Sequence, residues 1–270
     1  MKGKAKMNQI YCCFPGGKCK ALTLSYDDGM NADRRLIEIM NRYGIRGTFH
    51  LNNCCGDAGH VPAEEIPALY AGHEIACHTA NHPTLARCPG TEAAQEILSN
   101  RTALEEIAGY PVVGFSYPNR SFSPEIISLL PLLGIRYARE GETTGNFLLP
   151  EDLYRWKGTC HHKDHLLDYG REFTEINKPA YLRLMYVWGH SWQFDADHNW
   201  DVIEEFCKLA GGREDIWYCT NLEYADCIEN FRRLRFSADN RFVFNPNAAS
   251  CWITVNGTAV EIPSGQTVRF

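Results

Sequence analysis

Two clusters of residues in this chain have types and spacing suited to chemistry: the pair Asp27-Asp28, and the segment His78-Thr79-Ala80-Asn81-His82. The carboxylates follow an apolar run, Ala21-Leu22-Thr23-Leu24-Ser25-Tyr26, and precede Gly29. That order predicts a buried strand delivering two acids at its C-terminal edge. Neighbouring side chains on an extended backbone diverge, so one acid can ligate a metal while the other faces a substrate. His78 and His82 stand one turn apart if their segment is helical, and both imidazoles then meet one ion. Two imidazoles and one of the two carboxylates make a borderline-hard set, suited to zinc first, and also to cobalt, nickel or manganese. Three protein ligands leave positions open for water and substrate. One divalent metal ion plus the carboxylate left over is the equipment for hydrolysis by activated water. Alone, Asp-Asp-Gly is usually a turn and HxxxH is often incidental. Together at the C-terminal ends of strands they occupy the rim where α/β barrels carry their chemistry.

The elements that position these residues alternate, which predicts an α/β fold with a largely parallel sheet. Strands are expected near 21–26, 47–52, 73–78, 112–117, 135–138, 154–156, 182–188 and 216–220. Helices are expected from Asp33 to about Tyr43, near 62–71, and over 91–108, 124–133, 165–177, 200–210 and 222–234. Leu36, Ile37, Ile39 and Met40 give the first helix its apolar face. Beyond residue 235 the pattern changes to strand-like alternation, and Asn256-Gly257 between two apolar runs is a hairpin signal. The expected organisation is a catalytic domain over 1–235 and a small C-terminal β appendage over 236–270, packed on the main domain.

At 270 residues, with 44% hydrophobic and 22% charged residues, the chain is long enough to bury a large core without staples. A net charge of -6 gives no basic footprint, so nucleic acid is not an expected partner. No segment approaches the length needed to span a bilayer, so no membrane partner is expected. Twelve cysteines would suit an oxidised secreted protein, but Met1–Lys20 has no apolar stretch of signal-peptide length. The expectation is a reduced, cytoplasmic protein. Cys12, Cys13, Cys19, Cys54 and Cys55 contain no CxxC pair, so they read as ordinary thiols rather than a second metal site.

The order Ser25-Tyr26-Asp27-Asp28-Gly29, Gly47-Thr48-Phe49, His78-Thr79-Ala80-Asn81-His82 and Phe115-Ser116-Tyr117-Pro118 resembles the polysaccharide deacetylases, the NodB-homology group of carbohydrate esterase family 4. The resemblance runs from about residue 20 to residue 234. It implies a distorted (β/α) barrel of about seven strands and metal-dependent removal of N- or O-acetyl groups from sugars. By the same resemblance, Asp27 is the general base, and Asp28, His78 and His82 are the metal ligands. The backbone N–H of Tyr117 is implied to hold the oxyanion, and His190 to protonate the leaving group. The chain departs from the family in two ways. Ser116 stands where an arginine often steadies the base, with Arg120 close by in sequence. The aspartate-tryptophan motif that orients the acid also has no clean match, leaving Asp195 or Asp197 to pair with His190. Trp156, Trp188 and Trp192 are expected to line the substrate pocket, although aromatic residues at such spacings equally serve a core. His161-His162 reads as a hydrogen-bonded loop pair.

The expected partner is therefore an acetylated carbohydrate or a small amide. One alternative is hydrolysis of other C–N bonds in a small amide, imide or formamide. Another is a non-catalytic carbohydrate-binding barrel, against which the Asp27, Asp28, His78, His82 and His190 set argues.

Overall fold

The computed structural model describes residues 7–54 and 56–270. Its strands are β1 (Ile10–Cys13), β2 (Lys20–Asp27), β3 (Gly47–Leu51), β4 (Glu74–Cys77), β5 (Gly114–Ser116), β6 (Tyr137–Thr143), β7 (Trp156–Gly158), β8 (Cys160–His161), β9 (Arg183–Gly189), β10 (Ile216–Tyr218), β11 (Arg235–Phe236), β12 (Phe242–Phe244), β13 (Cys251–Val255), β14 (Thr258–Ile262) and β15 (Thr267–Arg269). Its α-helices are α1 (Asp33–Arg42), α2 (Ile66–Leu69), α3 (Gly90–Ala108), α4 (Pro124–Leu132), α5 (Leu166–Glu175), α6 (Trp192–Ala196), α7 (Trp200–Ala210) and α8 (Asn221–Arg233).

The main sheet is parallel throughout and runs β7-β6-β5-β4-β3-β2-β9-β8, with β10 also pairing to the start of β2. Strand β2 is buried along its whole length, its polar Lys20, Thr23, Ser25 and Asp27 included, because both faces of this central parallel strand are covered. Residues 156–161 complete the ring. Their first half pairs with β6 and their second half with β9, so β7 and β8 act as one staff. The crossover is possible because Gly158 has no side chain. A Cβ there would lie 2.5 Å from Cδ1 of Trp188 and 3.2 Å from the Tyr186 carbonyl. The distorted (β/α)7 barrel expected from the motifs is therefore present.

Helix α1 buries Leu36, Ile37, Ile39 and Met40 against the barrel, as its periodicity requires. Helix α8 starts on a capping box between Thr220 and Glu223. The Asn256-Gly257 turn joins β13 to β14, and β13 continues the sheet by taking β1 as its other antiparallel neighbour. A second small sheet has the order β11-β12-β15. Leu234, Val243, Cys251, Ile253, Val255 and Ile262 form a core of their own beneath these strands.

Three differences from the sequence reading bear on the site. Strand β6 continues past Ala138 to Thr143, which carries Arg139 and Glu140 into the barrel wall. The strand placed near 154–156 falls at 156–158 and resumes at 160–161. Helix α6 follows His190 directly and was not anticipated. The described cysteines are free thiols, and Cys55 lies outside the described residues. No helix among the described residues is long and apolar enough to cross a membrane.

Candidate metal centre and catalytic site

Asp27 ends β2 and Asp28 begins the turn beyond it, at the C-terminal rim of the barrel. Asp28 sits at φ 82°, a left-handed conformation that costs a non-glycine residue about 1–3 kcal/mol. His78 follows β4 directly, and the segment to His82 is a loop rather than a helical turn. Thr79 at φ 63° and His82 at φ 55° bend that loop back on itself. The His82 amide donates to Oγ1 of Thr79 at 3.1 Å, which locks the bend. The imidazoles converge through this turn, with ring centroids 4.8 Å apart.

One donor atom from each of Asp28, His78 and His82 lies within 4.8 Å of the others, the grouping that can hold a metal ion among the described residues. Nε2 of His78 is 3.7 Å from Oδ1 of Asp28, and Nε2 of His82 is 3.9 Å from the same oxygen. The interior partners of His78 fix its ring. Its Nδ1 lies 3.0 Å from the carbonyl of Ser116, which can only accept, so the hydrogen-bond network assigns the proton to Nδ1. The Nε2 lone pair then faces the cluster, and that buried nitrogen has no hydrogen-bond partner among the described residues. An orphaned imidazole nitrogen, a second imidazole and a carboxylate in mutual reach fit a divalent cation of the zinc type.

Asp27 is deeply buried beside this cluster. Its Oδ2 forms an ion pair with Nη2 of Arg139, and its Oδ1 accepts from the Ser116 hydroxyl at 3.2 Å. Nδ1 of His50 lies 3.4 Å from Oδ1. Burial alone would push the Asp27 carboxyl up, but the Arg139 guanidinium holds it well below the usual carboxylate range. Burial lowers His50 to about 3 and pushes His78 down as well, so these two imidazoles are neutral beside Asp27. The fixed cation beside Asp27 is thus Arg139.

His190 stands across the cluster, with Nε2 3.9 Å from Oδ2 of Asp28. Its buried Nδ1 has no hydrogen-bond partner. Neither aspartate suggested for it takes that place. Asp195 accepts from the Trp200 indole at 2.8 Å, and Asp197 pairs with Lys163 at 2.5 Å.

Other expectations need correction too. The Tyr117 amide donates to the Arg139 carbonyl at 3.1 Å, as a continuation of the β5–β6 ladder, so it is not free for an oxyanion. Trp156 is 0% exposed and packs with Tyr137, Tyr186 and Tyr224 in the second core cluster, where no substrate reaches it. Trp188 is also buried. Arg139 lies 4.7 Å and Arg120 5.6 Å from its ring centroid, and the His161 ring meets it edge-on. Trp192 alone of the three is open, at 39% exposure, and its indole donates to Oδ2 of Asp28 at 3.3 Å. Of the histidine pair, His162 is buried against Phe194 and Tyr26, whereas His161 accepts from the Lys163 amide at 3.1 Å.

The sequence reading missed Arg139 and His50. Arg139 has the same strand parity as Tyr137 and so points the same way, a signal that was available once β6 was extended. His50, which ends the run Gly47-Thr48-Phe49, carried no comparable signal.

Residues 15–138 match the sequence profile of the polysaccharide deacetylase family. The resemblance carried by Ser25–Gly29 and His78–His82 therefore holds over that stretch. Among curated proteins, the chain is 28% identical to the peptidoglycan-N-acetylmuramic acid deacetylase PdaC of Bacillus subtilis over 93 residues, 34% of this chain and 20% of that protein. It is 30% identical to the chitooligosaccharide deacetylase of a Bradyrhizobium species over 88 residues, 32% of this chain and 39% of that protein. The chain thus spans well under half the length of both relatives. A probable polysaccharide deacetylase from Pseudomonas aeruginosa PAO1 shares the fold, with a TM-score of 0.63 at 15% identity over 79% of this chain and 92% of the other.

Proposed function

We propose that this chain, a polysaccharide deacetylase by family over residues 15–138, hydrolyses an acetyl group from an acetylated carbohydrate. The observation that carries this reading is the convergence of Asp28, His78 and His82 on one point, with the ionised Asp27 beside them. Asp28, His78 and His82 would hold one divalent cation, zinc first among the fits. When bound, that cation supplies a Lewis acid for the acetyl carbonyl and eases deprotonation of water.

The protein's own groups do the rest. Asp27 takes a proton from the water that attacks the acetyl carbon. Arg139 keeps Asp27 ionised, so it is a proton acceptor at neutral pH. His190, on the far side of Asp28, gives a proton to the departing amine or alkoxide as the C–N or C–O bond breaks. The products are acetate and the free sugar amine or hydroxyl. Trp192, open at the rim, offers an apolar face to the sugar ring.

The test is acetate release from acetylated chito- and xylo-oligosaccharides, before and after chelation and metal readdition. Chelator-sensitive release restored by zinc is expected. Hydrolysis of small amides or imides with no acetate from any sugar would instead support the C–N hydrolase alternative. Glycan binding by metal-loaded protein without turnover would support a binding barrel.

A further inference from the structure

Strands β5 and β6 lie side by side and parallel, and Ser116 and Arg139 are partners in their register. Their side chains therefore project together from one layer of the barrel wall, and both reach Asp27. Arg139 pairs with one carboxylate oxygen and the Ser116 hydroxyl donates to the other. The two oxygens of Asp27 are thus fixed from two adjacent strands, which leaves its carboxylate plane little freedom.

Arg139 is itself immobilised. It is 2% exposed, its guanidinium lies 4.7 Å from the Trp188 ring centroid, and its carbonyl accepts the Tyr117 amide. Ser116 has a second contact. Its Oγ is 2.6 Å from Nδ1 of His78, and its carbonyl is 3.0 Å from the same nitrogen. The hydroxyl has one proton and gives it to Asp27. Toward His78 it can only accept, which again places a proton on Nδ1 and leaves Nε2 for the cluster.

We infer that Arg139 and Ser116 are a split positioning device, in which Arg139 clamps Asp27 from β6 and Ser116 ties that clamp to the ligating tautomer of His78. The inference rests on the proposed hydrolytic role of Asp27. It goes further by assigning the base's orientation to two residues that touch neither substrate nor metal. A merely structural ion pair predicts something different: as a stability device a buried pair is often matched by apolar packing, so its loss would appear in folding and not selectively in turnover.

The experiment compares variants for kcat, KM, zinc stoichiometry and zinc affinity. Arg139→Ala is expected to lower kcat about 100-fold or more, with KM within about threefold and zinc stoichiometry unchanged, because a small misplacement of a reacting group is that costly. Arg139→Lys keeps the charge without the fork, and added guanidinium ion should partly rescue Arg139→Ala; both are expected to recover about tenfold in kcat. The exchange Ser116→Arg with Arg139→Ser moves the cation one strand over with volume and charge kept. It is expected to exceed Arg139→Ser alone by about tenfold in kcat. Ser116→Ala should weaken zinc binding about 10-fold, a readout independent of turnover. Arg120→Ala should stay within about twofold of wild type in kcat.

Three results would overturn the inference: Arg139→Ala turning over like wild type, a loss in kcat that only follows lost zinc or lost fold, or an exchange variant no better than Arg139→Ser. An inactive but zinc-binding wild type would instead remove the deacetylase reading. In that case the Ser116→Ala zinc affinity still decides whether the Ser116 hydroxyl supports His78 toward zinc.

Discussion

The two ends of the barrel each bury a carboxylate and hold it in opposite ways. At the C-terminal rim, Asp27 lies against the Arg139 cation and is kept ionised. At the opposite edge Glu74 opens β4, with no ion pair to it among the described residues. Its oxygens accept from Tyr137 at 2.7 Å, Thr48 at 2.8 Å and the Leu222 amide at 2.9 Å. Burial pushes its carboxyl up to about 7. The surroundings differ in the same sense. Around Asp27, Nε2 of His50, Nε2 of His78, Nε of Arg139 and Nδ1 of His190 are buried without hydrogen-bond partners. Both Glu74 oxygens are satisfied. Unmet polar valence beside a fixed charge is a reason to look for a ligand. A closed hydrogen-bond network around an acid with no ion pair is a reason to look for stability alone.

The sharpest way to break this contrast is to remove one of the proposed ligands at the rim. Asp28→Ala or His82→Ala should abolish stoichiometric zinc binding and lower turnover about 1000-fold, measured by elemental analysis and acetate release on the same samples. Full turnover in zinc-free protein would contradict the rim assignment.

Glu74 offers the complementary test. Its folded carboxyl titrates near 7 and its unfolded one near the ordinary glutamate value of about 4.3. The folded state therefore binds more protons between those values. The stabilising contribution is complete below the lower value and is lost as pH rises through the upper one. Glu74→Gln mimics the protonated form and should be more stable than wild type at about pH 8, by at most about 3 kcal/mol, and equal to it at about pH 4.5. Its acetate release should stay within about twofold. Denaturant melts at the two pH values read this directly, and a parallel loss of activity would erase the distinction between the ends.

Much of the rim was legible because its residues are consecutive and chemically unusual. Asp27-Asp28 after an apolar run and HxxxH after another point to a candidate ligand set from sequence alone, and the fold brings Asp28, His78 and His82 together. What holds them was not legible, because it depends on lateral register. Arg139 reaches Asp27 only because β6 lies beside β5, and a register partner leaves no mark in the one-dimensional order. The same limit explains the tryptophans. Trp156 looked like a pocket residue, but β7 turns it into the barrel core. The Tyr117 amide was spent on the ladder for the same reason. The appendage was read as a hairpin, and its third strand came from the distant Ile10–Cys13 segment.

Two smaller effects follow from those placements. Trp156→Phe should cost about 1–2 kcal/mol of stability and leave KM unchanged, since its ring fills core space and meets no sugar. A raised KM at unchanged stability would return Trp156 to the pocket. Trp192→Phe removes the indole donor to Asp28 and part of the rim aromatic face, and should weaken zinc binding about threefold, measured by competition with a chromogenic chelator.

The central claim is that two adjacent aspartates divide the work, Asp28 holding the cation and Asp27 the proton. The most direct measurement is zinc stoichiometry and acetate release on Asp27→Asn. One zinc per chain with turnover reduced about 1000-fold is the expected result. Zinc lost along with turnover, or turnover kept, would contradict the division.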